Sequence, residues 1–429
     1  MRVFILNKRG KPLMPCSPAK ARLLLKEKKA VVVRRTPFTI QLTIATGETK
    51  QPVSLGVDAG YKHIGLSAST EKAELYASEV ELRQDVSDLL SARRALRRAR
   101  RNRKTRYRAP KFDNRIRTKR KGWLAPSVEN RINAHLSSIE SVLRLLPITK
   151  ITVETASFDT QLLKNPDIAG KEYQEGEQLG FWNVREYVLF RDGHLCQHCH
   201  GRSKDPVLNV HHLESRRTGG DSPGNLITLC ETCHRELHRG EITLKAKRGQ
   251  SFRAEAFMGI MRREVLGRLK ASHPGLEVNN TYGYQTKHAR IANGIAKSHC
   301  ADAFCIAGNL GAKRLGKFFF QKQTRRNNRQ IHKLSILKGA LRKRNQAPFE
   351  VKGLRLFDKV VCKGEEGFIF GRRSSGSFDV RHLDGTRISA GINYKKLHLL
   401  ERRRTYLTEV RKEEALSPPP EGRVLLAQM

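Results

Sequence analysis

Four cysteines, Cys196-x2-Cys199 and Cys230-x2-Cys233, frame a stretch that also holds His211, His212, Asn225, His234 and His238. Two paired CxxC knuckles match tetrahedral thiolate ligation of Zn2+, and a four-sulfur set is closed, so such a zinc is structural. The histidines and the asparagine make a second set, able to bind a further metal and to move protons near neutral pH. Three acids stand elsewhere: Asp58 in GVDAG, Glu154 in TVE and Asp302 in HCADAF, with His299 one helical turn before Asp302. Carboxylates brought together can hold two Mg2+ ions ~4 Å apart, an arrangement that stabilises the attacking and leaving oxygens of phosphodiester hydrolysis. From the residues alone, a zinc ribbon with incidental histidines and acids that merely cap turns are the alternatives.

Composition narrows the partner. The chain has 429 residues, with 83 Lys and Arg against 41 Asp and Glu, a net charge of +42. That excess exceeds what solubility requires and points to a polyanion. Cys16, Cys300, Cys305 and Cys362 show no disulfide-like spacing, which fits a reducing compartment. No apolar run is long enough to span a bilayer, and the opening MRVFILNKRGK lacks the apolar core of a signal peptide. The expectation is a cytoplasmic, prokaryotic, nucleoid-associated protein with no membrane partner.

The elements that must position these residues can be read along the chain. Residues 1–51 read as strand, turn through KPLMPCSP, short helix and two strands. Residues 52–90 give an apolar strand reaching Asp58, a glycine turn and two more strands, the opening of a ribonuclease-H-like sheet. Residues 91–125 form an arginine-rich segment; 91–121 alone hold sixteen basic residues against one acid, Asp113. Leu89, Ala92, Leu96 and Ala99 fall on one helical face there, and Pro110 ends the pattern. Residues 126–180 give a helix, a strand ending on Glu154 and a polar linker. The cysteine frame lies in 181–250, followed by helix, strand and helix over 251–312. Residues 313–352 are basic again, 353–415 read as a small β-barrel, and 416–429 as a loose tail.

The run CQHCH…VHHLESRRTGGDSPGNLITLCETCHRELH resembles the HNH nuclease module, a strand–loop–strand–helix unit with one divalent metal. The trio GVDAG, TVE and HxxDA resembles the RuvC branch of the ribonuclease-H fold, with the HNH module inserted between its second and third acids. Together with Pro12-Leu13-Met14-Pro15 and the arginine run, this order is similar to the IscB family across essentially the whole chain. The resemblance implies an α/β multidomain protein: a PLMP domain, a split RuvC-like fold, a bridge helix, a zinc-bound HNH insert and a C-terminal barrel that reads a target-adjacent motif. It implies a transposon-encoded, RNA-guided DNA endonuclease, a monomeric ribonucleoprotein of guide RNA (ωRNA) and double-stranded target DNA.

By that resemblance Asp58, Glu154, His299 and Asp302 form the RuvC-like site, with two Mg2+, and cut the displaced strand. His212 is the general base of the HNH site, which cuts the guide-paired strand. His211, His234 and His238 bind its single Mg2+, and Asn225 pins the loop. Many relatives carry Asp at the position of His211, and either residue binds a metal. Arg93, Arg94, Arg97, Arg98, Arg100, Arg101, Arg103, Arg106 and Arg108 grip nucleic-acid backbone, the division of labour in which base pairing reads sequence and protein reads shape. The order His234-Arg235-Glu236-Leu237-His238 is not HExxH, which disfavours a zinc protease. The competing readings are an RNA-independent HNH or RuvC-like nuclease and a catalytically silent nucleic-acid binder.

Overall fold

The computed structural model describes residues 2–86, 88–90, 92–93, 123–155, 183–214, 223–246, 253–325 and 348–413. Arg93 is among them and exposed. Arg94, Arg97, Arg98, Arg100, Arg101, Arg103, Arg106 and Arg108 lie outside the described residues, as does the loop over 215–222.

The chain opens with β1 (Val3–Leu6), β2 (Pro12–Cys16), α1 (Pro18–Lys26), β3 (Ala30–Arg34) and β4 (Thr39–Leu42). These form a four-stranded sheet in the order β2-β1-β4-β3. Residues 12–15, expected as a turn, are strand β2. The two prolines are tolerated because β2 is an edge strand, where a missing N–H removes no ladder bond on the free side. Ser17 caps α1 by accepting from the Lys20 amide, and Pro18 occupies the first turn, where its lack of a donor costs nothing.

Next come β5 (Ser54–Ala59), β6 (His63–Ser69), β7 (Glu74–Glu81), α2 (Pro126–Leu143) and β8 (Lys150–Thr155). Then follow α3 (Val184–Arg191), β9 (Leu208–His212), β10 (Leu226–Cys230) and α4 (Glu231–Arg239). The chain continues through α5 (Arg253–Ser272), β11 (Glu277–Tyr282), α6 (Gly283–Ala292), α7 (His299–Ala307) and β12 (Lys317–Gln323). The last strands are β13 (Glu350–Val351), β14 (Leu354–Arg355), β15 (Lys359–Cys362), β16 (Glu365–Arg372), β17 (Ser377–Arg381), β18 (Arg387–Asn393), β19 (Leu397–Glu401) and β20 (Tyr406–Lys412).

The chain forms two compact units, one drawn from residues 1–115, 130–157 and 264–429, the other from 116–129 and 158–263. The first is built on a seven-stranded sheet in the order β11-β8-β5-β6-β7-β12-β20. β5, β6 and β7 run as antiparallel hairpins, whereas β8 lies parallel to β5 and β11 parallel to β8. β8 and β11 are hydrogen-bonded neighbours, yet residues 158–263 of the second unit fall between them in sequence. Leu55, Val57, Ile64, Leu66, Ile151 and Val153 are fully buried on one face, and Gly56 and Gly65 on the other face meet α7, so these strands are covered on both faces. Each such side chain contributes about 1.5–3 kcal/mol.

At the C-terminus, β18-β17-β16-β15-β19 form a five-stranded antiparallel sheet. Among the described residues its ladder has no pairing of β18 with β19, so the expected barrel is a sheet with two edges. β20 then returns to the seven-stranded sheet, antiparallel to β12.

One helix lies unusually close to its sheet. A Cβ built on Gly56 of β5 would fall 1.9 Å from the Ala303 carbonyl oxygen, and one on Gly65 of β6 would fall 2.0 Å from the His299 carbonyl oxygen. The α7 backbone therefore rests on strand backbone, a distance available only without side chains. Gly56→Ala or Gly65→Ala should lift α7 and destabilise the protein by about 3 kcal/mol or more. Thermal denaturation checks this, and an unchanged melting temperature would disprove the close contact.

Candidate functional site

Two constellations emerge, one in each unit. In the first unit, Asp58 is the penultimate residue of β5, Glu154 that of β8, and Asp302 lies in the first turn of α7. β5 and β8 are parallel neighbours, so equivalent strand ends bring Asp58 and Glu154 to one edge of the sheet. The close seat of α7 brings His299 and Asp302 to the same edge. His299 Nδ1 lies 2.6 Å from Asp58 Oδ2, and Arg290 of α6 pairs with Asp302 at 3.0 Å. Gly283, at the start of α6, leaves room for Glu154: a Cβ there would stand 3.1 Å from its Oε1.

Burial raises the Glu154 carboxyl, opposed in part by the nearby Thr286 hydroxyl and reinforced by Asp58 and Asp302. Burial, and then Asp58, raise Asp302 against the pull of Arg290. The hydrogen bond to Asp58 lifts His299 above the usual imidazole value despite its burial. Buried carboxyls raised further by a neighbouring carboxylate are in the electrostatic situation that a divalent cation relieves. The donors are all oxygen, which fits Mg2+. Among the described residues the three carboxylates are not gathered as tightly as the cysteine or histidine clusters described below.

The turn that carries Asp58 onward is clamped by α2. His135, fully buried, has Nδ1 2.8 Å from the Arg131 carbonyl and Nε2 3.1 Å from the Gly60 carbonyl. Arg131 donates to the Tyr61 carbonyl and lies 3.8 Å over the Tyr61 ring. Two further residues, His63 and Glu79, join the site. His63 stacks on His299 with centroids 5.1 Å apart and planes 6° apart, and its Nδ1 lies 3.0 Å from Glu79 Oε1. His63, five residues after Asp58, sits across the same hairpin turn; Glu79 is invisible without the β6–β7 register.

In the second unit, β9 and β10 pair antiparallel, with His212 opposite Leu226 and His211 opposite Ile227, and α4 follows β10 directly. The sulfurs of Cys196, Cys199, Cys230 and Cys233 all lie within 4.8 Å of one another. Hydrogen bonds from Ser203 outweigh burial at Cys199 and bring its thiol down to about 5, whereas burial and the adjacent thiols push Cys233 up. Four convergent sulfurs with opposed ionisation tendencies suit a cation that takes all four as thiolates, and the set fits tetrahedral Zn2+. Asp205 caps the start of α4, accepting from the Thr232 amide and hydroxyl, each at 2.8 Å. Asp192 accepts from the Thr228 amide at 2.9 Å, tying α3 to β10.

The other cluster is made of imidazoles. His211, His234 and His238 offer ligand atoms within 4.8 Å of one another, because His234 and His238 stand one turn apart on α4, facing β9. Burial lowers the pKa of His211 and His234, and each is lowered further by its histidine neighbours. Three nitrogen donors without a carboxylate fit Mn2+, Co2+, Ni2+ or Zn2+ better than the Mg2+ expected from sequence. His212 stands next along the strand, outside this trio. Asn225 is fully buried; its carboxamide accepts from the Glu214 amide at 2.9 Å and donates to the Glu214 carbonyl at 3.0 Å. The two ends of the intervening loop are thereby closed.

Comparison with known proteins agrees with the second unit's geometry. A family model described as HNH endonuclease matches residues 196–240, and one described as RRXRR protein matches residues 3–176. The type IV methyl-directed restriction enzyme EcoKMcrA of Escherichia coli (strain K12) is 34% identical over 62 residues, which are 13% of this chain and 22% of that protein. The chain thus spans about a fifth of the length of that relative. A crystal structure of Streptococcus thermophilus Cas9 in complex with the AGAA PAM aligns with TM-score 0.30 and 14% identity, covering 49% of this chain and 30% of that one. No helix among the described residues is long and apolar enough to cross a membrane.

The cysteine cluster carries its own test. Cys230→Ser or Cys196→Ser should lower the zinc content of the purified protein by one equivalent and unfold α4. A structural zinc supplies on the order of 10 kcal/mol of folding free energy. Unchanged zinc by elemental analysis would reject these ligands. This mixed α/β chain thus carries, at residues 196–240, an HNH endonuclease domain built around a four-cysteine cluster.

Proposed function

We propose that the chain is an RNA-guided DNA endonuclease of the IscB kind, with one nuclease site for each DNA strand. The observation that carries the reading is the coexistence of two different hydrolytic constellations in one chain. One is the His211, His212, Asn225, His234 module. The other is the Asp58, Glu154, His299, Asp302 set on a ribonuclease-H-like sheet, between whose strands β8 and β11 the HNH unit is inserted. The net charge of +42 supports a nucleic-acid partner. The Pro12–Pro15 motif, the arginine bridge over 91–125 and the motif-reading role of the C-terminal sheet belong to the same proposal.

In the HNH site, His212 takes the proton of the attacking water and Asn225 fixes the loop that frames it. His211, His234 and His238 hold a metal ion, which when bound neutralises charge on the phosphate. In the RuvC-like site, Asp58, Glu154 and Asp302 hold the metal ions. His299, hydrogen-bonded through Nδ1 to Asp58, is oriented to move a proton at the scissile phosphate. Arg290 holds Asp302 in place through their ion pair.

A second reading, an RNA-independent HNH nuclease, draws on the local likeness to the restriction enzyme. It leaves the second constellation without a task.

Strand-resolved cleavage separates the parts. Asp58→Ala should leave a nickase for the guide-paired strand and His212→Ala one for the displaced strand, each silenced cut falling ~10^2–10^4-fold or more. Loss of both cuts in either variant would contradict two independent sites. Metal dependence gives a further check. Mn2+ should support the His212-dependent cut better than Mg2+ at equal concentration, while Mg2+ suffices for the Asp58-dependent cut. Preference for Mg2+ at both would rule out the three-imidazole ligand set.

A further inference from the structure

Cations withdrawn from water are normally paired, because an unpartnered buried charge loses its hydration without compensation. Arg34, the last residue of β3, departs from this rule. It is half-buried, its Nε is buried with no hydrogen-bond partner, and no carboxylate lies within ion-pair distance among the described residues. The guanidinium lines a cavity of ≈ 370 Å³ together with Arg404, Asn130, Ser137, Gln323 and Tyr406. Arg404 likewise has no acidic partner among the described residues. Burial, and then the charge of Arg404, depress the pKa of Arg34.

The surrounding charges leave the cavity positive. Glu401 lines the adjoining hollow and acts on Arg34 in the opposite sense, with its own Oε1 buried and unpartnered. Arg402 is already committed to Asp358 at 3.0 Å. The wall is firm: the Tyr406 hydroxyl donates to the Ala134 carbonyl at 3.3 Å, joining β20 to α2. The volume lies in the range of small-molecule pockets, roughly 300–1,000 Å³. Amide and hydroxyl groups beside two guanidiniums suit a phosphate with a polar group attached, since the planar guanidinium fork matches phosphate geometry.

We propose that the cavity bounded by the end of β3, α2 and the start of β20 binds one backbone phosphate of a nucleic-acid strand. Arg34 and Arg404 are its donors, and Asn130, Ser137 and Gln323 meet the attached nucleotide. This rests on the reading that the chain binds nucleic acid, and it adds a site whose lining residues belong to neither hydrolytic constellation.

The test measures binding of 12-nucleotide RNA and DNA of one sequence to the full-length protein at several salt concentrations. The variants are Arg34→Met, Arg404→Met and, as a control, Arg22→Met on the exposed face of α1. Either pocket variant should weaken binding tenfold or more, with the control changing it less than twofold. Arg34→Met should also raise the melting temperature of the free protein, because it removes an unpartnered charge. Arg404 is exposed, so its variant serves even if Arg34→Met disturbs folding. Loss for RNA alone assigns the phosphate to an RNA strand, and equal loss for both assigns it to either backbone. A pocket effect no larger than the control's would overturn the proposal. Failure of the unmodified protein to bind either strand would overturn the nucleic-acid reading as well.

Discussion

The contact on which the first unit depends is the direct seating of α7 on the backbones of β5 and β6 at Gly56 and Gly65. Removing two side chains lets a helix approach where a Cβ would collide, and that approach fixes the separation of residues from three distant parts of the sequence. Asp58 comes from an inner strand and Glu154 from its parallel neighbour, while His299 and Asp302 come from the first turn of the helix. Their electrostatics follow from the packing. Burial raises the Glu154 and Asp302 carboxyls, the Asp58 charge adds to it, and His299 and Arg290 supply part of the compensating charge.

The second unit solves the same problem by other means. Its described part over residues 183–246 has two short strands and two short α-helices, with few fully buried apolar side chains. A core that small gives little cooperative stability, so a four-sulfur metal site is the natural staple. The staple also sets the chemistry, because Cys230 and Cys233 bracket the start of α4 and thereby aim His234 and His238 at His211. Asn225 closes the adjoining loop with a reciprocal pair of hydrogen bonds to Glu214.

Legibility in the sequence tracked locality. The cysteine frame and the histidines of α4 were readable because their partners lie within a few dozen residues at fixed spacing. Asp58, Glu154 and Asp302 were readable only as acids at element ends and through family resemblance, since their meeting depends on strand order. His63, Glu79 and Arg290 escaped: each acts through a neighbour that only the β6–β7 register or the helix packing provides. The Pro-Leu-Met-Pro segment read as a turn because two prolines usually mark one, and its strand state follows from its edge position. β20 read as part of the C-terminal barrel because it is continuous with it in sequence, while its pairing with β12 is set by tertiary structure.

In the proposed function a defined RNA directs cleavage. The measurement that reaches it most directly is sequencing of the RNA that remains bound to protein expressed from its native flanking DNA and washed in moderate salt. The account requires a single species with a constant scaffold and one variable end. Heterogeneous RNA that washes off as salt rises, the behaviour of charge-driven binding, would contradict it and leave an RNA-independent nuclease.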